Sequence, residues 1–463
     1  MTTLKIQNPA TGELLAEVPA DDDASVAEKA RRARVAQAAW SARPLSERVE
    51  CLRRFRAAVA SQVEPLAKTL TSEVGKPIRQ SRRELEGLLP RLDFFLAEVE
   101  RSTAPETVFA EGGMTERIAH EPLGVVANIS AWNYAWFVGS NVFVPALLTG
   151  NAVLYKPSEF ATLTGLQIAR LLHEAGVPED VFVALVGAGE VGAALLRQEI
   201  DGVFFTGSHA TGAKIAAAMG PRLVKLQLEL GGKDPVYVCE DADVGTAAAA
   251  LADGAMYNTG QSCCSVERLY VHARIHDAFV EAFLGEVRGL RLGDPMDEAT
   301  TLGPLTRRAQ LEVLSGQVAD AVAKGASLRL GGRRLERPGN WFEATVLTEV
   351  SHAMELMREE SFGPIIGIQR VGDDDEALAL MNDTRYGLTA GVYTPDEARA
   401  RRILSRANAG SVYWNCCDRV SPRLPWSGRG DSGVGLTLST YGIQTFTRPR
   451  AWHLRDLRAP KRS

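Results

Sequence analysis

From Gly124 onward the chain alternates short, nearly all-apolar runs with longer stretches of helical periodicity, and this alternation restricts the fold more than any other feature. A strand in a parallel sheet has helices on both of its faces, so it reads as a continuous apolar run rather than an every-other pattern. Runs at 124–130, 151–155, 181–186, 202–205 and 223–230 fit such strands, with helices predicted at 137–148, 162–175, 191–198 and 211–219. A second block follows Gly232, with strands at 235–238, 268–271, 365–371 and 388–393 and helices at 244–258, 275–287, 310–325 and after Asp375. Alternation of this kind predicts an α/β protein with parallel sheet covered on both faces. Its 463 residues exceed what one hydrophobic core fills, so two or three domains are expected.

Around these blocks, 24–40, 46–75 and 78–100 have helical patterns suited to packing on the core. Residues 115–120 alternate like an exposed strand, which makes an edge that can wait for a partner chain. The stretch 440–446 is predicted as a closing strand before a basic tail.

No charged side chain lies between Glu121 and Lys156, a length that raises the question of a membrane span. Asn128, Asn133, Asn141, Gly124, Gly139, Pro145 and Gly150 interrupt it, and strand and helix patterns alternate inside it. A buried strand–helix–strand unit is the better reading, and no membrane role is expected. A net charge of −5 supplies no basic field for nucleic acid. Arg31-Arg32 and Arg82-Arg83 read as solvated helix faces. Six cysteines in so long a chain make no disulfide framework, and the first residues carry no apolar signal core; both point to a reducing, cytoplasmic setting.

Gly260-Gln261-Ser262-Cys263-Cys264 places thiols among small and polar residues just ahead of a strand. A thiolate attacks carbonyl carbon well, yet a cysteine in isolation packs as often as it reacts. Gly187-Ala-Gly-Glu-Val-Gly192 matches a dinucleotide fingerprint, but the next strand ends in Thr206-Gly207-Ser208 rather than the acidic ribose partner the fingerprint wants. The turn from Phe205 to Gly212 is a second candidate for holding phosphate at a helix start. Lys156 and Glu159, after a buried strand, suit a ribose, or else form a solvated loop. Glu229 ends an apolar strand, where burial raises a carboxylate toward the range of a general base; a structural pair with Lys233 is the alternative. Asn133 can donate to an oxyanion or simply form a turn.

Taken together, Ala131-Trp-Asn133, Lys156-Pro-Ser-Glu159, Phe205-Thr-Gly-Ser208, Leu228-Glu-Leu-Gly-Gly232, Gly260-Gln-Ser-Cys263 and Glu360-Ser-Phe-Gly-Pro364 resemble, in order and spacing, the NAD(P)-dependent aldehyde dehydrogenases. The resemblance spans essentially the whole chain. It implies a Rossmann-type cofactor domain (1–101 with 121–231), an α/β catalytic domain (232–439) and a small β oligomerisation arm with a tail (102–120 with 440–463). By the same resemblance Cys263 is the nucleophile, Glu229 activates the hydrolytic water, and Asn133 with the Cys263 N–H forms the oxyanion hole. The cofactor set it implies is Ile129, Ser130, Trp132, Lys156, Ser158, Glu159, Gly189, Gly207, Ser208, Leu230, Glu360 and Phe362. Glu159 would repel a 2′-phosphate, favouring NAD over NADP. The substrate tunnel would comprise Tyr134, Val138, Asn141, Ser262, Cys264, Arg419 and Trp426, and no metal is implied.

The expected partners are a small-molecule aldehyde and a second copy or copies of the chain, as homodimer or homotetramer. Ala131 departs from the proline the family often has before Trp-Asn. Arg419 or Arg423 would anchor a substrate carboxylate in a semialdehyde dehydrogenase; the plainer reading pairs Arg419 with Asp418 and leaves Arg423 on the surface. Further alternatives are a CoA-acylating dehydrogenase, against which Glu229 argues, a metal or redox protein built on Cys263-Cys264 and Cys416-Cys417, and a fold kept without activity.

Overall fold

The computed structural model describes residues 3–458; residues 1–2 and the end of the predicted tail, 459–463, lie outside the described residues. The first alternating block forms a six-stranded sheet in which Lys225–Glu229, Gly202–Thr206, Val125–Ile129, Ala152–Lys156 and Phe182–Ala184 run parallel in that order. The short strand Gly433–Val434 closes it antiparallel to Glu229 and Leu228. Alternate residues of these strands enter two different apolar clusters. Val126, Val153 and Phe204 face one side, while Val125, Ala127, Leu154 and Val203 face the other. The unbroken apolar runs in the sequence therefore serve a sheet covered twice.

The second block forms a seven-stranded sheet in the order Ser327–Leu330, Thr345–Thr348, Ile365–Val371, Val266–His272, Asp234–Val238, Thr389–Tyr393, Ser411–Trp414. Only the edge strand Ser327–Leu330 is antiparallel to its neighbour. The same two-sided division holds, with Val236, Leu269 and Ile366 on one face and Tyr237, Tyr270 and Ile365 on the other. The charge-free stretch folds as strand Val125–Ile129, helix Ala135–Leu148 and strand Ala152–Lys156, nearly all of it buried. Among the described residues no helix is long and apolar enough to cross a membrane.

Three sequence expectations need correcting. The predicted helix 46–75 is two helices, Leu45–Ser61 and Val63–Val74, broken at Gln62. Pro65 lies in the first turn of the second, where its ring cannot follow a continuous helix without clashing four residues back. The predicted strand 440–446 is the helix Ser439–Gln444. Leu438, Ile443 and Phe446 are buried there while Tyr441 is exposed, a spacing that suits a helical turn and not a two-residue repeat. The link between 325 and 365, for which no strand is predicted, contains the two strands at 327–330 and 345–348.

A three-stranded antiparallel sheet stands apart from the two parallel ones, ordered Thr447–Arg455, Met114–Pro122, Glu106–Glu111. Every residue of Glu106–Glu111 is exposed.

Candidate active site

The two parallel sheets are joined by the four residues between Glu229, which ends one strand beside Thr206, and Asp234, which begins the next. Glu229 is therefore buried at a sheet's carboxyl edge, beside a cavity of about 550 Å³. That cavity is also lined by Cys263, Cys264, Ser262, Tyr134, Val138, Asn141, Arg419 and Trp426. Asn133 reaches the same loop from the start of the helix Ala135–Leu148, its Nδ2 donating to Gln261 O at 3.1 Å.

Cys263 follows the 3-10 turn Tyr257–Gly260. Gly260 has φ +69°, and a Cβ there would stand 2.2 Å from Gly363 O, so only glycine lets the thiol loop meet the loop after Glu360. The Cys263 thiol donates to Glu229 Oε1 at 3.7 Å. Glu229 Oε1 also accepts from Trp426 Nε1 at 2.7 Å, and Oε2 from Thr206 Oγ1 at 3.2 Å. Burial holds the Glu229 carboxyl above the usual carboxylate range, against the hydrogen bonds from Trp426, Thr206 and Cys263 that lower it. Cys264 pulls the Cys263 thiol down, but burial and the carboxylates of Glu229, Asp234 and Glu360 leave it above its ordinary value. Cys264 donates to Asp418 Oδ1 at 2.9 Å, and hydrogen bonding with Cys263 and burial push its thiol well up.

The residues expected around a nucleotide gather at the carboxyl ends of adjacent parallel strands, where open α/β sheets bind ligands. Ile129 ends one strand, with Ser130 and Trp132 after it; Lys156 ends the next, followed by Ser158 and Glu159. Gly207 and Ser208 follow Gly202–Thr206, and Leu230 follows Lys225–Glu229. Lys156 Nζ donates to Pro157 O at 3.1 Å and lies 3.6 Å from Glu159, which also accepts from Ser158 Oγ at 3.3 Å. Gly189 opens the helix Gly189–Leu196; a Cβ added there meets nothing within 4 Å, and one at Gly192 meets only Lys156 Cδ at 3.9 Å. The open space over exposed Gly189, with buried Lys156 close to Gly192, leaves room for a dinucleotide here. Ser208 Oγ is engaged as the cap of the helix His209–Met219, accepting from Thr211 N.

From the second sheet, Glu360 Oε1 accepts from Gly232 N at 3.0 Å, and a Cβ on Gly231 would fall 2.4 Å from that carboxylate. Burial and the neighbouring Glu267 raise the Glu360 carboxyl. Phe362, at φ +48°, meets the Trp132 ring edge-on at 5.6 Å. Glu267 holds this strained loop: it accepts from Ser361 N at 2.8 Å, from Phe362 N at 3.0 Å and from Lys233 Nζ at 2.5 Å.

Lys233 is thus the partner of Glu267, which excludes the Glu229–Lys233 pair considered from the sequence. Nor do Arg419 and Asp418 form an ion pair; Asp418 takes the Cys264 thiol, while exposed Arg419 lines the cavity. Arg423 is exposed and outside the cavity lining. Glu267 and Arg91 were missed by sequence reasoning. A charged pair, Glu267-Arg268, inside a buried strand was the available signal for the first; helical periodicity offered none for the second. Among the described residues, no group of three or more His, Cys, Asp or Glu side chains is arranged to hold a metal ion.

The family model described as "Aldehyde dehydrogenase family" matches residues 1–452. A 3,6-anhydro-alpha-L-galactose dehydrogenase of Streptomyces coelicolor is 36% identical over 459 residues, covering 98% of this chain and 93% of the relative. A succinate-semialdehyde dehydrogenase [NADP(+)] of Deinococcus radiodurans is 35% identical over 444 residues, covering 96% and 93%. Among solved structures, PnpE in complex with nicotinamide adenine dinucleotide superposes with a TM-score of 0.95 at 33% identity, covering 98% of this chain and 94% of that one.

Proposed function

The chain belongs to the aldehyde dehydrogenase family and has its fold, and from that premise we propose that it oxidises a small aldehyde to the carboxylic acid with NAD(P)+, through a thioester on Cys263. The observation that carries this reading is the cavity shared by Cys263, Glu229 and Trp426, with the thiol hydrogen-bonded to the carboxylate at 3.7 Å.

Cys263 Sγ adds to the aldehyde carbon, and its proton has Glu229 Oε1 as acceptor. The developing alkoxide is met by the second N–H of Asn133 Nδ2, whose first is fixed on Gln261 O, and by the Cys263 backbone N–H. The chemistry NAD(P)+ supplies when bound is acceptance of hydride from that carbon, which leaves a thioester on Cys263 Sγ. Glu229 passes the thiol proton on to solvent and then takes a proton from water, the hydroxide adds to the thioester, and the thiolate leaves as the acid forms. A buried carboxyl with a raised pKa suits that task near neutral pH. Lys156, Ser158, Glu159, Gly207, Ser208 and Leu230, with Ile129, Ser130, Trp132 and Gly189, would hold the nucleotide from the first sheet. Glu360 and Phe362 would hold the nicotinamide end from the second. A carboxylate at Glu159 favours NAD over the extra phosphate of NADP.

Residues 1–101 with 121–231 act as the cofactor domain and 232–439 as the catalytic domain in this reading. The exposed sheet built from 106–111, 114–122 and 447–455 is the arm that meets another copy in a dimer or tetramer. Six free cysteines support a cytoplasmic setting. The test is Cys263→Ala: aldehyde-dependent NADH formation is lost while NADH still binds, as read by its fluorescence. Full activity in that variant would overturn the reading.

A further inference from the structure

We infer that Arg91 and Asn141 form an anion subsite in the active-site cavity, so that the aldehyde oxidised at Cys263 carries a carboxylate at its far end. This rests on the reaction proposed above. Arg91 projects from the helix Ile78–Thr103 and Asn141 from the helix Ala135–Leu148, and both line the cavity with Cys263 and Glu229. Arg91 is only 3% exposed, with its guanidinium 4.4 Å from the centre of the Phe137 ring. Its Nη1 donates to Asn141 Oδ1. Among the described residues Arg91 has no ion-pair partner, its Nε is buried without an acceptor, and Asn141 Nδ2 donates to nothing.

A buried guanidinium with no counter-ion is unfavourable unless a ligand supplies one. Burial pushes Arg91 down to about 10, opposed by Glu229, Glu84 and Cys264, so it stays charged at neutral pH. The other charged groups facing it have partners of their own. Glu84 is bonded to Lys76, Asp418 to Cys264, and Glu229 to Trp426 and Thr206. Arg83, Asp253 and Arg419 are exposed elsewhere on the cavity wall. Asn141 takes one Nη1 hydrogen, and the guanidinium keeps further donors for a carboxylate, which such a fork meets with two parallel hydrogen bonds. Asn141 Nδ2 adds a donor next to it. Phe137 fixes the plane of the guanidinium, which a lysine could not reproduce.

The experiment compares kcat/KM for 4-oxobutanoate against butanal, and for 6-oxohexanoate against hexanal, in the wild type, Arg91→Met and Arg91→Lys. The wild type should prefer the carboxylated member at one chain length or both. Arg91→Met should lower that preference at least about thirtyfold, mainly through KM, with Arg91→Lys between the two. Preference for the neutral aldehyde at both lengths, or an unchanged ratio in Arg91→Met, overturns the subsite. Calorimetric titration with succinate gives a readout independent of turnover: binding should weaken at least about tenfold in Arg91→Met. Absence of turnover with all four aldehydes, together with Arg91-dependent succinate binding, would overturn the reaction at Cys263 and leave the subsite standing. Equal succinate binding in wild type and Arg91→Met overturns the subsite. A poorly folded Arg91→Met is recognised by loss of NADH binding, and Arg91→Lys then carries the comparison.

Discussion

Trp426 and Cys263 share one oxygen of Glu229: the indole Nε1 donates to Oε1 at 2.7 Å, and the thiol donates to the same atom at 3.7 Å. The indole therefore holds the carboxylate against the thiol and lowers its pKa against the upward pull of burial. Trp426→Phe keeps an aromatic wall but removes the donor, so the Glu229 pKa rises further. A base works only when deprotonated, so the rising limb of the pH–rate profile moves to higher pH. Loss of one hydrogen bond of about 1 kcal/mol predicts a fall in kcat at pH 7 of about fivefold. A profile that stays in place in steady-state assays from pH 5 to 9 would show that the indole does not position the base.

Glu229→Gln separates the two halves of the reaction. The amide keeps the volume and can still meet Trp426 and Thr206, but it takes no proton from water. Steady-state turnover is expected to fall by about 10²–10⁴. Stopped-flow mixing should still show a burst of NADH if thiol addition survives, with acylated Cys263 seen by mass spectrometry. Turnover near the wild-type rate would remove Glu229 from the role of base.

The two adjacent thiols should behave differently. Cys263 faces Glu229 in the cavity and is half-buried, whereas Cys264 is 4% exposed and donates to Asp418. Limited alkylation followed by peptide mass spectrometry is expected to mark Cys263 first, and preferential labelling of Cys264 would reverse the assignment of nucleophile.

The sequence made these two sheets readable because each strand is apolar on both faces, as Val125 and Val126 show by entering different clusters. It also offered Cys263, Glu229 and Asn133 as candidates through the resemblance, and the structure brings Cys263 and Glu229 to one cavity with Asn133 bonded to the neighbouring Gln261. What it lacked was pairing across the chain. Lys233 is four residues from Glu229 yet bonds Glu267, because the strand leaving Gly232 enters the second sheet beside Val266–His272. Arg91 sat in a helix whose periodicity marked only packing, and its place in the cavity comes from helix 78–103 lying against helix 135–148. The helix at 439–444 was mistaken for a strand because seven residues are too few to separate the two periods when glycine and threonine dilute them.

Glu159 and Lys156 form an ion pair at 3.6 Å, and Lys156 Cδ lies 3.9 Å from where a Cβ on Gly192 would stand. Glu159→Gln removes the charge that would oppose a 2′-phosphate while leaving a hydrogen-bonding side chain. The ratio of kcat/KM with NADP to that with NAD is expected to rise about tenfold. A ratio unmoved by the substitution, measured with one aldehyde at fixed ionic strength, would take Glu159 out of cofactor discrimination.

Gly260→Ala tests whether the thiol loop depends on its contact with the loop after Glu360. The left-handed φ of +69° already disfavours alanine, and its Cβ would be forced to 2.2 Å from the Gly363 carbonyl oxygen, which is backbone and cannot rotate away. Relief requires separating the Cys263 loop from Gly363 and Pro364, next to Phe362, whose own φ of +48° is held by Glu267. The two adverse effects together are expected to lower stability by about 2 kcal/mol or more in urea unfolding. Activity per folded molecule should fall with it, because the movement carries Cys263 away from Glu229 and Asn133. A variant with wild-type stability and turnover would mean that the two loops do not need this close approach.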